Sequence, residues 1–399
     1  MERGLLHESE YDAERAERLA STRLSRRGLL RLGGASVGVA ALSSFASAPS
    51  FAQVPGIVKP TPADLFIERS TNAEMRWSAM KGQGYLTPTD RFFVRNHTST
   101  PRLDPTTWSL RVHGTGVQRE VVLSYDDVLA LPSVTVTRAI ECAGNARSFF
   151  TTQQGQTVAG TPWTLGAIGV ATWTGTPLSA VLERAGLTAG ALDVMPVGLD
   201  DQAVRRPIPV EKALATDTLL VHHMNGEVLP PDHGFPVRLL VPGWVGVSNI
   251  KWVGSIEVSE TPLQSQWNTT SYRMFGPAYP DTPLVTTQVV KSALELPLPA
   301  TVRPGPQRLT GRSWSGEGRV TKVEVAFDGH GPWRTARLER RNDDRAWRQW
   351  SLPWNAKRGD HTVEVRAHDD QGNVQPRTVP FNEKGYLFGA VVSHPVTVG

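Results

Sequence analysis

The 399-residue chain contains one cysteine, Cys142, within the segment Arg138-Ala139-Ile140-Glu141-Cys142-Ala143-Gly144-Asn145-Ala146-Arg147. One thiol cannot form an intrachain disulfide, so Cys142 is either a buried inert residue or a metal ligand or nucleophile. Ala-Gly-Asn allows a sharp turn beside the thiol, and Arg138 and Arg147 add positive charge that favours the thiolate. Thiolate sulfur prefers transition metals, but a zinc or iron–sulfur site needs several protein ligands. A metal at Cys142 would therefore bring other ligands of its own.

The first 52 residues have the features of an export signal. Ser25-Arg26-Arg27-Gly28-Leu29-Leu30-Arg31 is typical of a twin-arginine signal peptide, and Ser50-Phe51-Ala52 provides a small-x-small cleavage site. The alternative is an ordinary secretory signal or a membrane anchor. However, the apolar stretch between the arginine motif and the cleavage site is short and rich in small residues. Because the twin-arginine route exports folded proteins, we expect a cofactor-loaded periplasmic protein, cleaved near Ala52. We expect no membrane span in the mature chain.

The charge pattern gives no indication of a nucleic-acid partner. The formal net charge is only +4, part of which belongs to the leader. Acidic and basic side chains alternate in the segment from Arg337 to Arg348, and the interleaved aromatic and basic residues of a nucleic-acid module are not seen. The sequence therefore predicts a protein that does not bind nucleic acid.

Two segments of different character follow the leader and predict two domains. Residues 53–280 mix short helices and strands, as in an α+β domain, with helices expected at 125–130 and 178–185 and strands at 108–112, 134–140, 219–221, 237–241 and 250–258. Residues 281–399 are typical of an all-β immunoglobulin-like sandwich, with strands expected at 285–290, 307–314, 320–327, 334–338, 347–352, 362–368 and 391–398.

A pair of adjacent histidines, His222 and His223, has the composition of a metal site. They fall in one of the expected strands, where successive side chains point to opposite faces of the sheet. On that geometry the two imidazoles cannot ligate one ion, and we exclude them as metal ligands.

Five short motifs, taken together, resemble the sulfite oxidase family of molybdopterin oxidoreductases. They are Arg95-Asn96-His97, the Cys142 segment, Gly198-Leu199-Asp200, His233-Gly234-Phe235-Pro236-Val237-Arg238, and Val241-Pro242-Gly243-Trp244 followed by Asn249-Ile250-Lys251-Trp252. The resemblance extends from about Thr87 to the C-terminus. It implies a molybdopterin-binding catalytic domain followed by the dimerisation domain of the family, and hence a homodimer.

The resemblance also implies how the cofactor would be held. Cys142 would be the thiolate ligand of molybdenum, beside the pterin dithiolene and oxo groups. Arg238 and Lys251 would neutralise the pterin phosphate, the first as a planar fork and the second as a point charge. The remaining pterin-binding residues would be Asn96, His97, Asp200, His233, Asn249 and Ile250. Singly, residues of these types also serve as turn caps, surface histidines or ion-pair partners.

The substrate pocket implied by the resemblance is positively charged, as an anion that loses its water requires. Arg95 and Arg147 match substrate-pocket arginines, Trp163 matches a pocket tryptophan, and Lys384 stands where the family has a third arginine. Sulfite-oxidising members also have a pocket tyrosine, which we expect between Asp200 and Pro209. This segment contains none, so Arg205 or Arg206 would fill the space, and sulfite specificity is in doubt.

The function that the resemblance implies is oxidation of sulfite to sulfate by oxygen-atom transfer. The chain has no Cys-x-x-Cys-His and no second thiol, so it builds in neither c-type haem nor an iron–sulfur cluster. Electrons would therefore pass to an external acceptor, a c-type cytochrome. Two alternatives stay open. One is the same fold acting as a sulfane-sulfur dehydrogenase or as a nitrate or sulfoxide reductase. The other is a non-catalytic exported binding protein in which Cys142 is inert.

Overall fold

The computed structural model describes residues 54–329 and 331–399. The predicted twin-arginine leader lies outside these residues. Within them, none of the helices has both the length and the apolar character needed to cross a membrane.

The first part of the chain combines short strands with a few short helices. Its helices are α1 (Tyr125–Leu129), α2 (Ser148–Thr152), α3 (Leu178–Ala185), α4 (Val210–Ala213) and α5 (Gln266–Thr269). Its strands are β1 (Phe66–Arg69), β2 (Asn72–Met75), β3 (Ser109–His113), β4 (Val121–Ser124), β5 (Val134–Glu141), β6 (Ile168–Pro177), β7 (Asp193–Gly198), β8 (Ile208–Pro209), β9 (Leu219–Met224), β10 (Glu227–Val228), β11 (Arg238–Leu240) and β12 (Val253–Ser259).

Two sheets organise this part. One has the strand order β10-β9-β6-β5, with β11 also paired to β9, and the other has the order β4-β3-β12-β7-β8. Helix α3 carries apolar residues at helical spacing and buries that face, and Gly186 ends it with a φ of +70° that suits glycine. The α+β character predicted from the sequence is confirmed.

The two adjacent histidines of β9 do not behave as a regular strand predicts. The register between β6 and β9 shifts so that Thr174 pairs with His223 and Gly175 with Val221, which makes His222 the extra residue of a β-bulge. The imidazole nitrogens Nδ1 of His222 and His223 consequently approach to 2.5 Å. The expectation that their side chains point apart is therefore wrong, because a bulge breaks the alternation of faces.

The second part of the chain is mostly β and forms a sandwich. Its strands are β13 (Lys291–Leu294), β14 (Ala300–Val302), β15 (Gly305–Trp314), β16 (Val320–Phe327), β17 (Arg334–Thr335), β18 (Arg337–Leu338), β19 (Trp347–Ala356), β20 (Gly359–Asp369) and β21 (Ser393–Val398). They form sheets of order β13-β15-β19-β18 and β14-β21-β20-β16-β17. Buried side chains of both sheets share one core. The predicted all-β second domain is confirmed.

One expected strand of this domain is wrong in position. Residues 285–290 are rich in β-branched side chains and predict a strand, but the strand begins only at Lys291. The earlier segment contacts the first domain, where Thr286 accepts a hydrogen bond from Val245 and Thr287 forms an isolated bridge with Trp244. This contact takes the place of regular pairing within the sandwich.

A buried arginine of β15 joins the two parts. Arg312 forms an ion pair with Glu295 at 2.8 Å and donates to the backbone carbonyls of Gly84 and Tyr85. Its guanidinium also lies 4.5 Å from the ring centroid of Trp347. Because a buried guanidinium needs each of these partners, the interface is specific rather than a loose apolar contact.

Candidate active site

A cavity lies where the ends of β5 and β7 meet the segments that lead into β11 and β12. A concave site with apolar walls and a few converging polar groups is typical of small-molecule and cofactor binding. Residues from distant parts of the chain form its wall because antiparallel pairing of β7 with β12 places Asp200 and Lys251 at the same edge. The predicted site residues that line it are Arg95, Asn96, His97, Cys142, Asp200, His233, Arg238, Asn249, Ile250 and Lys251.

Cys142 is the first residue after β5, and backbone hydrogen bonds fix its position. Its N–H donates to the carbonyl of Ala167 at 2.9 Å, and its carbonyl accepts from the N–H of Asn145 at 2.9 Å. The residue is buried, with 5% of its surface exposed, and it faces the cavity. A thiol held this way can serve as a single metal ligand from one side of a bound group.

A buried ion pair stands directly behind the cysteine. Glu141 accepts from the ammonium of Lys291 at 2.8 Å and from the side-chain amide of Asn145 at 2.8 Å. Lys291 also donates to the Asn145 carbonyl at 3.1 Å, and both ionised side chains are almost fully buried. These contacts fix the turn that carries Cys142. Sequence reasoning missed Lys291, because it lies 150 residues from Glu141 and has no local motif.

Two cations of the predicted pterin site line the cavity, Arg238 at the start of β11 and Lys251 in the segment before β12. Arg238 donates to the carbonyls of His233 at 2.9 Å and of Asn249 at 3.0 Å. Burial lowers the pKa of Arg238 to about 9, which leaves it charged at neutral pH. Lys251 donates to the carbonyl of Asp232 at 2.9 Å and to the side-chain oxygen of Asn96. The cavity is therefore electropositive on this side.

Two buried polar atoms in the cavity wall lack a hydrogen-bond partner, namely Nε2 of His233 and Nε of Arg238. Burial, together with the nearby cations Lys59, Lys251 and Arg238, lowers the pKa of His233 well below its ordinary value, so the imidazole is neutral. Unsatisfied buried polar atoms are costly unless a ligand completes them. A phosphate-bearing group with ring donors and acceptors, such as molybdopterin, fits this set.

Asp200 and Asn249 use their side chains mainly to hold backbone. Asp200 accepts from the N–H of Val204 at 2.9 Å and from the hydroxyl of Thr98 at 3.1 Å. Burial raises the pKa of Asp200 above its ordinary value, against the opposing effect of these hydrogen bonds. Asn249 accepts from the N–H of Val241 at 2.7 Å and donates to the carbonyl of Val245 at 3.2 Å. Asn249 and Ile250 thus present their backbone to the cavity in a fixed conformation.

The cavity contains a tyrosine that the sequence analysis did not find. Tyr272, just after α5, lines the wall, and its hydroxyl lies 3.2 Å from Nε2 of His97. Residues 201–208 contain no tyrosine, as the sequence indicates, but Tyr272 enters the cavity from another segment. The lack of tyrosine between Asp200 and Pro209 therefore does not count against sulfite. The signal available was the segment Ser265-Gln266-Trp267-Asn268, in which Ser265 and Asn268 form a capping box at the start of the short helix that precedes Tyr272.

Three predicted pocket residues are not among those that line the cavity. Arg147 is buried and donates to the carbonyls of Thr161 at 3.2 Å and Lys384 at 3.1 Å. Trp163 is fully buried, and its ring packs edge-on against Phe93, which does line the cavity. The ammonium of Lys384 lies 5.4 Å from the ring centroid of Phe275. Their roles in substrate binding stay predictions.

Neither arginine that flanks Cys142 in sequence faces the cavity. Arg138 forms an ion pair with Asp217 at 3.0 Å. Arg147 is enclosed by glycines, since a Cβ at Gly144 or Gly160 would come within 2.8 Å and 2.5 Å of its guanidinium. The cations that line the cavity together with Cys142 are instead Arg95, Arg238 and Lys251, from other segments of the chain.

Comparison with known proteins agrees with this arrangement. Residues 97–267 match the family model of the oxidoreductase molybdopterin binding domain, and residues 284–392 match the Mo-co oxidoreductase dimerisation domain. The chain is 37% identical over 333 residues to the mitochondrial sulfite oxidase of Homo sapiens. The alignment covers 77% of this chain and 61% of that protein. It is also 37% identical over 329 residues to the sulfite oxidase of Gallus gallus, covering 76% of this chain and 71% of the relative.

Among solved structures, the chain is similar to the sulfane dehydrogenase SoxCD from Paracoccus pantotrophus. The TM-score is 0.74 at 26% identity, and the match covers 90% of this chain and 96% of that chain. This chain spans about three fifths of the length of the mammalian sulfite oxidases that it matches. The cysteine-bearing cavity, the sandwich domain and these similarities together establish that the chain belongs to the sulfite oxidase family of molybdopterin oxidoreductases.

Proposed function

We propose that the protein is an exported molybdenum enzyme that oxidises sulfite to sulfate. The observation that supports this most strongly is the convergence of Cys142 with Arg95, Arg238 and Lys251 in one cavity, although they come from separate segments. A metal-binding thiol beside several cations suits an oxyanion substrate.

The residues present divide the work of holding the cofactor. Cys142 would hold the metal, while Arg238, Lys251 and the neutral His233 would hold the pterin and its phosphate. When bound, molybdopterin supplies two-electron oxygen-atom transfer. The protein keeps its ligands in place through the Glu141–Lys291 pair and the backbone contacts of Asn249.

The chain's own groups also bind and orient the substrate. Arg95 lines the cavity and brings a positive charge to an incoming anion. The hydroxyl of Tyr272, paired with His97, can donate a hydrogen bond to an oxyanion and hold a proton near the reacting oxygen. Burial strengthens each of these contacts, because the local dielectric is low.

Export, dimerisation and the electron acceptor belong to the same proposal. The twin-arginine motif supports a periplasmic location, and the match to the dimerisation domain supports a homodimer through the second domain. With no haem or iron–sulfur motif in the sequence, the electrons would leave singly to a c-type cytochrome.

A second candidate is dehydrogenation of sulfane sulfur. The similarity to SoxCD favours it, since that match covers almost the whole of the compared chain. Both candidates need the same cofactor site, so they differ only in what enters the cavity.

A substrate panel tests the proposal. Purified protein with measured molybdenum content is assayed with sulfite, thiosulfate, nitrate and a sulfoxide, using an artificial electron carrier. We expect about one molybdenum per chain and oxidation of sulfite in preference to the others. Turnover confined to thiosulfate or a sulfane adduct would favour the second candidate. Absence of molybdenum from protein expressed with the cofactor pathway intact would exclude both and leave a binding protein.

A further inference from the structure

Two buried arginines and two tyrosines form a stacked column beside the cavity. The guanidinium carbon of Arg206 lies 5.7 Å from the ring centroid of Tyr272. Tyr272 stacks on Tyr386 with centroids 5.1 Å apart and planes inclined by 12°. The guanidinium carbon of Arg147 lies 5.3 Å from the ring centroid of Tyr386. Each of the two stacked rings therefore has a buried guanidinium within cation–π distance.

Arg206 has an unusual environment for a buried arginine. The residue is fully buried, and its guanidinium donates to the carbonyl of Val285. Its Nε and Nη1 have no hydrogen-bond partner, and within residues 54–329 and 331–399 it has no ion pair with a carboxylate. Burial lowers the pKa of Arg206 to about 10, so it is still charged at neutral pH. The ring of Tyr272 is thus a principal stabilising contact of this charge.

The backbone also constrains Tyr272. Its φ is +55°, in the left-handed region that bulky residues seldom adopt. Such a conformation persists only where surrounding contacts enforce it. The face of the ring is held by Arg206 and Tyr386, while the hydroxyl lies 3.2 Å from His97 in the cavity wall.

We propose that Arg206 is a positioning residue that fixes the ring of Tyr272, and thereby its hydroxyl, for contact with the anionic substrate. This inference rests on the proposed function for its kinetic part only. If the ring swung away, the buried cation would lose its aromatic face, so the rotamer and the charge stabilise each other. Arg206 does not line the cavity and acts through Tyr272.

The kinetic test is a double-mutant cycle. Arg206→Met preserves length and removes the charge, Arg206→Lys keeps a cation over the ring, and Tyr272→Phe removes the hydroxyl. Neither Arg205 nor Arg206 fills the pocket as the sequence suggested, and Arg205 is exposed and does not line the cavity. Arg205→Met is therefore the matched control for loss of a positive charge. We expect Arg206→Met to lower kcat/KM for sulfite about tenfold at full molybdenum content. Arg206→Lys should recover most of this loss, and Arg205→Met should match the wild type.

Coupling separates positioning from general destabilisation. In the Tyr272→Phe background, Arg206→Met should lower kcat/KM by less than about twofold, since the hydroxyl that it positions is gone. An equal loss in both backgrounds would show that Arg206 does not act through Tyr272 and would overturn the proposal. If Arg206→Met does not fold, Arg206→Gln, which retains a donor for the Val285 carbonyl, takes its place in the same cycle.

A readout independent of turnover tests the column itself. The stacked tyrosines contribute to near-ultraviolet circular dichroism, so Arg206→Met should change the tyrosine bands while Arg205→Met leaves them unchanged. Identical bands in wild type and Arg206→Met would overturn the proposal whatever the enzyme oxidises. Altered bands in a protein that oxidises no sulfur compound would instead support the column and reject only the proposed function.

Discussion

At the scale of the residue, the same side-chain types serve different purposes according to where the fold puts them. Arg238 has a guanidinium nitrogen in the cavity wall without a hydrogen-bond partner. Arg147 instead donates to backbone carbonyls, and glycines pack against its guanidinium. Arg238 can therefore bind a ligand, whereas Arg147 connects the segments that contain Thr161 and Lys384. We expect substitutions to distinguish ligand-binding residues from structural ones.

Replacing the thiol tests the metal ligand. In Cys142→Ser we expect a folded protein that retains much of its pterin, because Arg238, Lys251 and His233 hold the pterin independently, but that has lost turnover. Pterin content, measured by fluorescence after oxidation, and sulfite-dependent electron transfer check this. Wild-type turnover in the purified variant would rule out Cys142 as the ligand.

Arg95 and Arg147 should respond differently to neutralisation. Arg95→Gln removes a charge from the cavity wall and should raise the KM for sulfite by about one to two decades at unchanged melting temperature. Arg147→Gln leaves two buried carbonyls without their donor and should lower the free energy of unfolding by about 2–4 kcal/mol. Steady-state kinetics and urea unfolding of both variants distinguish the effects. A KM effect without destabilisation in Arg147→Gln would place that guanidinium in the substrate pocket after all.

Much of the candidate site was accessible from sequence because its residues occur in short contiguous motifs. Arg95, Cys142 and Lys251 each sit within such a string, and all three line the cavity. Tyr272 and Lys291 were missed, since their importance arises from long-range contacts with His97 and Glu141. Trp163 contacts the lining residue Phe93 from behind, and a buried aromatic in that place has the same local sequence signal as one in the wall.

At the scale of the element, the accuracy of the sequence prediction depended on what each strand packs against. Helix α3 was predicted with its observed limits, because amphipathic spacing and a terminal glycine define it locally. The bulge at His222 was not predicted, since it arises from the shifted register of β6 against β9. The segment 285–290 bridges to Trp244 of the first domain instead of forming a strand of the sandwich, which no local pattern reveals.

A charge cluster between β16 and β20 gives the sandwich domain a predictable response to acid. Glu324 accepts from Lys322 at 2.7 Å, from Arg366 at 2.8 Å and from His368 at 2.9 Å. Burial opposes ionisation, but these three partners outweigh it and lower the pKa of Glu324 from 4.5 to about 2. A depressed pKa in the folded state stabilises the fold above the ordinary carboxyl pKa, and this stabilisation disappears as pH falls towards 2.

Glu324→Gln should therefore lower the free energy of unfolding by about 1–2 kcal/mol at neutral pH. The difference from wild type should shrink between about pH 4.5 and pH 2, where the carboxylate takes up its proton. Urea unfolding across this pH range measures the difference in free energy of unfolding between the variant and the wild type. The control is Glu339→Gln, because Glu339 belongs to an exposed and longer ion pair. A deficit that stays constant down to pH 2 would mean that packing, not charge, is responsible.

At the scale of the whole molecule, export and cofactor loading are expected to be linked. Arg26-Arg27→Lys-Lys should leave cofactor-loaded protein in the cytoplasm, because the arginine pair is what the folded-protein route recognises. Cell fractionation followed by molybdenum analysis measures this, with Arg23→Lys, outside the pair, as the control. Normal export of the double variant would indicate the general secretory route.

The buried pair of Glu141 and Lys291 also sets an order of events during biosynthesis. The ribosome makes the carboxylate 150 residues before the ammonium that neutralises it. A nascent chain that has completed only its first domain would have to bury that carboxylate alone, which costs several kcal/mol. The turn carrying Cys142 is therefore expected to settle only when β13 has been synthesised and docked. We therefore expect Cys142 to reach its position in the cavity only in a chain whose sandwich domain has begun to fold.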